Sequence, residues 1–353
     1  MKNYRKLVPG LAAVAVAASL AACGGGNDDA NAAGASGDGS CEGGQLSYQL
    51  SFVPNPQQTG FLYAYDKGYF EDQGIDVEMK EGGPTVNPAL QVAQANVDVA
   101  ELPLGDALNA VSNGAEISLV AQISQQIPLR YISWKEVPLS TPEDLRGTTI
   151  GVQQAGNLAP PIRVMAGEAG IPHDEIQIEQ IAFDVSDFIA KKVDVFPLRT
   201  YAHIAMLEEQ GVNYPDDVNV LNPIDFGADL PEDGVYVNNS YLDDNADVVA
   251  CLLRGLKAGW EDAAENPDEA KAIVEEYAPA AAFTPEAIDI DVDEALVHAL
   301  QNGAGEDVDA LTTDMDYLRQ GTESLQDVDE VPGDVSIDDL VDLGPLEQAT
   351  SKD

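Results

Sequence analysis

The stretch at 52–83, FVPNPQQTGFLYAYDKGYFEDQGIDVEMKEGG, decides the fold. Ahead of it, residues 46–53 are β-prone, and Pro54-Asn55-Pro56 permits neither a helix nor a continued ladder, so the chain must turn at that strand's carboxyl end. Phe61, Leu62, Ala64 and Tyr65 then cluster on one side of a helix over 57–67, with Gly68 as its stop. Residues 75–79 alternate as a second strand. A strand, turn, helix and strand within about 30 residues form the repeating unit of a parallel α/β sheet. Open α/β sheets bind ligands beyond the carboxyl ends of their strands, so this turn is the first candidate piece of a binding site.

Outward from that unit the chain echoes itself. NVDVAELPLGDALNAVSNG at 96–114 and KVDVFPLRTYAHIAMLEEQG at 192–211 share VDV, a loop with Pro-Leu or Leu-Pro-Leu, a helix and a closing Gly. LSFVPNP at 50–56 has a counterpart in TIGVQQAGN at 149–157. Two echoes in the same order predict two similar α/β lobes that point strand-end loops at a shared cleft. The lobe boundary is expected at 134–140, because Thr141-Pro142-Glu143-Asp144 is a well-formed helix start. The second lobe's last strand falls at 217–221, residues 222–234 return, and Val235-Tyr236-Val237 rejoins the first lobe. Two crossings make a hinge. Beyond 242 the pattern is helical, with Val248, Leu252, Leu256 and Trp260 at helical spacing and Trp260 assigned to the core. Asn266 is expected to cap a helix at Pro267, further helices span 286–301 and 307–319, and about fifteen terminal residues are expected to fray.

Composition narrows the function. The chain has 353 residues, 44% of them hydrophobic, which is a globular balance with room for two lobes. Asp and Glu number 62 against 17 Lys and Arg, for a net charge of -45. Nucleic acid as a partner is excluded, since phosphate binding needs a basic footprint. An acidic surface of this kind suits a saline, halophilic setting that screens self-repulsion. Lys2, Arg5 and Lys6 precede a small-apolar run at 11–22 that is too short to span a bilayer and reads as an export signal. It ends in Leu20-Ala21-Ala22-Cys23, which resembles a bacterial lipobox, with Cys23 as the lipidated first residue. The expected organisation is a signal peptide at 1–22, a flexible Gly/Ala/Asn/Asp/Ser tether at 23–44, lobe 1 at 45–137, lobe 2 at 138–224, and the rest of lobe 1 with C-terminal helices at 225–353. Cys41 and Cys251 remain, either bonded to each other or as two separate thiols.

Catalytic and metal signatures are missing. His173, His203 and His298 have no metal spacing, and no nucleophile elbow, P-loop or zinc helix is present. Neither a cofactor nor an enzymatic activity is expected. The candidate ligand contacts are strand-end residues: Phe52, Asn55, Leu104, Gly105, Asp106 and Gln125 in the first lobe, and Gln154, Gly156, Asn157, Asp184, Arg199 and Tyr201 in the second. Gln154 and Asn157 precede a helix, where free backbone N–H groups are on offer.

The opening stretch, together with TPEDLRGTTIGV at 141–152 and GVYVNNSYLDDNADVVACLLRGLKAGWEDAAENPDEA at 234–270, resembles the solute-binding proteins of ABC importers. The group in question takes up nitrate, sulfonates, taurine, thiamine-pyrimidine precursors and riboflavin. The resemblance implies a two-lobe periplasmic-binding-protein-like fold of type II, with two mixed sheets flanked by helices, a hinge and an interlobe cleft. It also implies a monomeric lipoprotein that captures a small molecule by hinge closure and hands it to an ABC permease with its ATPase. KAGW followed by AENPDEA is more like the pyrimidine and riboflavin branches, and one arginine in the proposed cleft is few for an oxyanion. The alternatives are a pyrimidine-precursor synthase of the same fold, whose cysteine-rich motif this chain lacks, and an exported ligand sensor.

Overall fold

The two Val-Asp-Val repeats do the same structural work twice. In each, both valines are buried, while the aspartate reaches the neighbouring strand: Asp98 accepts the Ser47 amide at 2.7 Å and Asp194 accepts the Thr149 amide at 2.8 Å. The computed structural model describes residues 41, 43–83, 85–153, 158–279 and 283–351. Residues 1–40, with the signal, most of the tether and Cys23, lie outside them.

The chain enters through β1 (Gly44–Gln49) and the Pro-Asn-Pro turn, then runs through α1 (Thr59–Asp66), α2 (Tyr69–Asp72) and β2 (Ile75–Lys80). It continues through α3 (Pro88–Ala93), β3 (Val99–Pro103), α4 (Leu104–Ser112) and β4 (Ile117–Gln122). A second sheet follows: β5 (Leu129–Trp134), β6 (Thr149–Gln153), α5 (Pro160–Glu168), β7 (Gln177–Ile181), α6 (Ser186–Ile189), β8 (Val195–Arg199), α7 (Thr200–Glu209) and β9 (Val218–Leu221). The chain then returns as β10 (Asp233–Asn238) and ends in α8 (Asn239–Glu265), α9 (Pro267–Tyr277), α10 (Pro285–Leu300), α11 (Met315–Asp327) and α12 (Gly344–Thr350).

The first sheet has the order β2-β1-β3-β10-β4 and the second β7-β6-β8-β5-β9. In each, three parallel strands are followed by one antiparallel strand, β10 or β5, that pairs on both sides. Each sheet is thus completed by a strand from beside a crossing. This moves the first crossing: β5 belongs to the second sheet, so the chain changes sheets at 123–128, upstream of the expected start at 138. An antiparallel insertion of this kind has no local sequence signal, because its burial pattern is that of any central strand.

The core of the first half centres on α1 against α8, where Trp260 is 2% exposed. Gly60 is required there, since a Cβ would lie 2.2 Å from the Trp260 ring. Cys41 and Cys251 are disulfide-bonded, sulfurs 2.08 Å apart, tying the approach to β1 onto α8. Three local expectations need correction. Asn266 does not cap α9 with its side chain, which donates to the Asp262 carbonyl instead. The helix expected at 307–319 is α11, displaced because Asp307 pairs with Gln301 and Asp314 supplies the cap, accepting the Asp316 amide at 2.8 Å. The tail does not fray up to Thr350: α12 packs on α8, and the Leu119 amide donates to the Leu340 carbonyl at 2.9 Å.

Candidate functional site

A cavity of about 1060 Å³ opens between the two sheets, at the carboxyl ends of β1, β3, β6, β7 and β8. This is where an open α/β architecture places ligands. The first sheet contributes Ser51, Phe52, Gln57, Glu101 and Asp106, the second Gln153, Ile181, Phe183, Arg199 and Tyr201, and the return segment Glu232 and Asp233.

The Pro-Asn-Pro turn builds one rim. Asn55 accepts the Gln57 amide at 2.9 Å and donates to the Val53 carbonyl at 2.7 Å, while Gln58 closes a reciprocal cap on the Asn55 amide at 3.2 Å. That geometry aims Gln57 inward, where its Nε2 donates to Asp233 at 2.5 Å. Deeper in the wall, Tyr48 donates to Glu101 at 2.9 Å. Burial, then the Asp233 carboxylate, push Glu101 up to about 8, and burial, then Glu232, push Asp233 up to about 6.

The opposite wall carries the positive charge. Arg199 donates through both terminal nitrogens to Glu232, each at 3.2 Å, and to the Tyr201 hydroxyl at 3.0 Å. Burial opposes its charge, but Glu232 and the other nearby acidic groups more than offset that, so the guanidinium stays charged. His203 lies beneath. Its Nδ1 accepts the Arg199 amide at 2.8 Å and its Nε2 faces the Phe183 carbonyl at 2.9 Å, which fixes the proton on Nε2. Burial pushes this imidazole down to about 4, so it is neutral, and its ring packs against Phe183 with centroids 4.8 Å apart and planes tilted by 47°. Phe183, 41% exposed, faces Phe52 across the cavity with ring centroids 6.4 Å apart and planes at 27°.

Of the residues singled out from sequence, Phe52, Asn55, Asp106, Arg199 and Tyr201 line this cavity. Leu104 and Gly105 are buried at the start of α4, off the wall. Gln125 spends its Nε2 on the carbonyls of Gln122, Ile123 and Thr312, and Asp184 is exposed, accepting the Ser186 amide at 2.8 Å beside α6. Gln154, Gly156 and Asn157 lie outside the described residues, next to Gln153, which does line the cavity. Sequence reasoning missed Gln57, Glu101, Gln153, Phe183, Glu232 and Asp233. One signal was readable, a glutamate inside the apolar strand Val-Ala-Glu-Leu, but 62 acidic residues hide it. Among the described residues, no group of three or more His, Cys, Asp and Glu is arranged to hold a metal ion.

A family model described as NMT1/THI5 like matches residues 55–270. The chain is similar to a formylaminopyrimidine-binding protein of Halalkalibacterium halodurans, 25% identical over 230 residues that cover 64% of this chain and 68% of that protein. It is also similar to the riboflavin-binding protein RibY of Chloroflexus aurantiacus, 26% identical over 241 residues that cover 67% of each. Among solved structures, the periplasmic aliphatic sulphonate binding protein SsuA from Escherichia coli superposes with a TM-score of 0.64 at 13% identity, covering 84% of this chain and 91% of that chain. The architecture is the periplasmic-binding-protein fold, two mixed sheets flanked by helices around a cleft.

Proposed function

The chain belongs to the NMT1/THI5-like family, and from that premise we propose that it is the solute-binding protein of an ABC importer, taking a flat heteroaromatic solute of pyrimidine or riboflavin type into the cavity between its sheets. The observation that carries this reading is the pair Phe52 and Phe183, one from each side. Their 6.4 Å centroid separation is roughly 0.6 Å short of twice the roughly 3.5 Å contact distance between carbon atoms. A slight opening admits one aromatic ring, and closure then brings both lobes onto it. An oxyanion is served poorly, because the cavity's described lining offers one basic side chain, Arg199, already matched by Glu232. The names of the two curated relatives, one binding a formylaminopyrimidine and the other riboflavin, support the same class.

The protein works by binding, with no bond made or broken, and a membrane permease and its ATPase receive the solute. We read residues 1–22 as an export signal and Cys23 as the lipid-bearing anchor of a monomer on the outer side of the cell membrane. The acidic excess suits a saline medium. Calorimetric titration with riboflavin, formylaminopyrimidine, an alkanesulfonate and nitrate tests the ligand class. One of the two ring compounds should bind, and Phe183→Ala should weaken it by roughly ten-fold or more, the loss of a desolvated aromatic contact. Binding of sulfonate or nitrate in preference to both ring compounds overturns it.

A further inference from the structure

The wall built by β3 and β10 holds more negative charge than a neutral ring requires. In the antiparallel register Val235 lies opposite Glu101 and Asp233 opposite Pro103, so Glu101 and Asp233 are diagonal neighbours on one sheet face. Both line the cavity, each 3% exposed. Glu232 is matched by Arg199, but Glu101 and Asp233 have neutral donors for partners: Tyr48 and Ser51 for the first, Gln57 for the second. The groups facing this pair are Tyr48 from β1, Tyr236 from β10, Arg199 and Tyr201 from the second sheet, and Glu232 from the return segment, with Asp106 of α4 further out on the cavity wall. Two buried carboxyls with only neutral partners either keep protons or acquire a cation. That a ligand occupies this cavity rests on other grounds, the facing aromatic rings and the family.

Building on the reading of the cavity as a heteroaromatic site, we infer that its solute carries a cationic amine or amidinium group, received between Glu101 and Asp233, and that these carboxyls give up protons as it binds. Tyr48 holds Glu101 from behind the wall and Gln57 holds Asp233 from the rim, and the ring lies between Phe52 and Phe183. With Glu101 pushed up to about 8 and Asp233 to about 6, the pair is partly protonated at neutral pH. Affinity for a cation therefore rises from pH 5 to 8, by at most about ten-fold per pH unit for each proton released. A neutral analogue of the same shape gains no such slope.

The test uses the full chain in calorimetric titrations at pH 5 to 8, in two buffers of different ionisation heat. The probes are a 4-aminopyrimidine bearing an aminomethyl group, its uncharged N-formyl derivative, riboflavin, and benzamidine as a flat amidinium that is not a pyrimidine. The aminomethyl compound should bind at least about ten-fold more tightly than its N-formyl derivative at pH 8, with proton release, and the gap should close toward pH 5. Glu101→Gln and Asp233→Asn, each checked for an intact melting transition, should each reduce that preference and the proton release. If the N-formyl compound or riboflavin binds as well as the amine, without proton release, the cation assignment fails while the heteroaromatic reading stands. If benzamidine alone binds, with proton release, the cation assignment stands and the pyrimidine reading fails. Failure of all four overturns both.

Discussion

β3 with α4 in the first sheet and β8 with α7 in the second begin alike, with a buried valine, an aspartate tied to the next strand's backbone, and a second buried valine. They differ two residues further on. At the third strand position the first unit has Glu101 and the second Pro197; at the fifth the first has Pro103 and the second Arg199. Charge and proline have exchanged places on the same sheet face. The acid therefore sits deep in the wall of one half, and the base sits at the strand end of the other, against the Glu232 that leads into β10. Backbone sets where a strand ends relative to the cavity; the residue chosen for positions three and five sets what the cavity meets there.

If scaffold and chemistry separate in this way, changes in the scaffold should alter stability without altering what binds. The largest effect belongs to Trp260→Ala, which empties the α1–α8 contact and should cost about 3–5 kcal/mol in denaturant unfolding, with ligand preference unchanged. Next is the disulfide, which staples the first half. Unreduced protein should show an intact mass two hydrogens below the reduced form, and reduction should lower stability by about 2–5 kcal/mol. Free labelling of both cysteines without reductant would remove that difference between the halves.

The equivalence itself is sharpened by Asp98→Ala and Asp194→Ala. Each leaves a strand amide, Ser47 or Thr149, without its acceptor, so both should destabilise by about 1–3 kcal/mol. Asp98 should be the costlier, since it also accepts the Ser47 hydroxyl at 2.8 Å. A silent change at one site with a large one at the other would break the comparison. The last effect is a pH slope. The Glu101 carboxyl is raised in the folded protein, so its contribution to stability is present at low pH and lost as pH climbs toward about 8. Without ligand, Glu101→Gln should therefore gain steadily on the parent in denaturant unfolding as pH rises from 5 to 8. An unchanging difference across that range would mean that Glu101 is not held protonated.

What could be read from the residues alone follows from how local each signal is. The Pro54-Asn55-Pro56 fence forbids regular structure, and the VDV echo places a strand, a loop and a helix twice in the same order, so the doubled α/β plan was legible; the tie each aspartate makes to a neighbouring strand was not. The allegiance of β5 was not, because it pairs with β8 and β9, strands that lie more than fifty residues downstream in sequence. Arg199 and Tyr201 stood out in a chain poor in cations. Glu101, Glu232 and Asp233 did not, since only burial distinguishes them from the many solvated acids around them. Phe183 follows β7, whose residues are mostly exposed, so no alternation pointed to it.

The most direct test of a ring held between the two sheets is native mass spectrometry of protein purified without unfolding, comparing the parent with the Phe52→Ala/Phe183→Ala double variant. The parent should carry a small nitrogen-containing aromatic compound that the folded double variant has lost. A parent that carries an inorganic or sulfonate anion, or a double variant that retains the same ring compound, would contradict the assignment of this cavity.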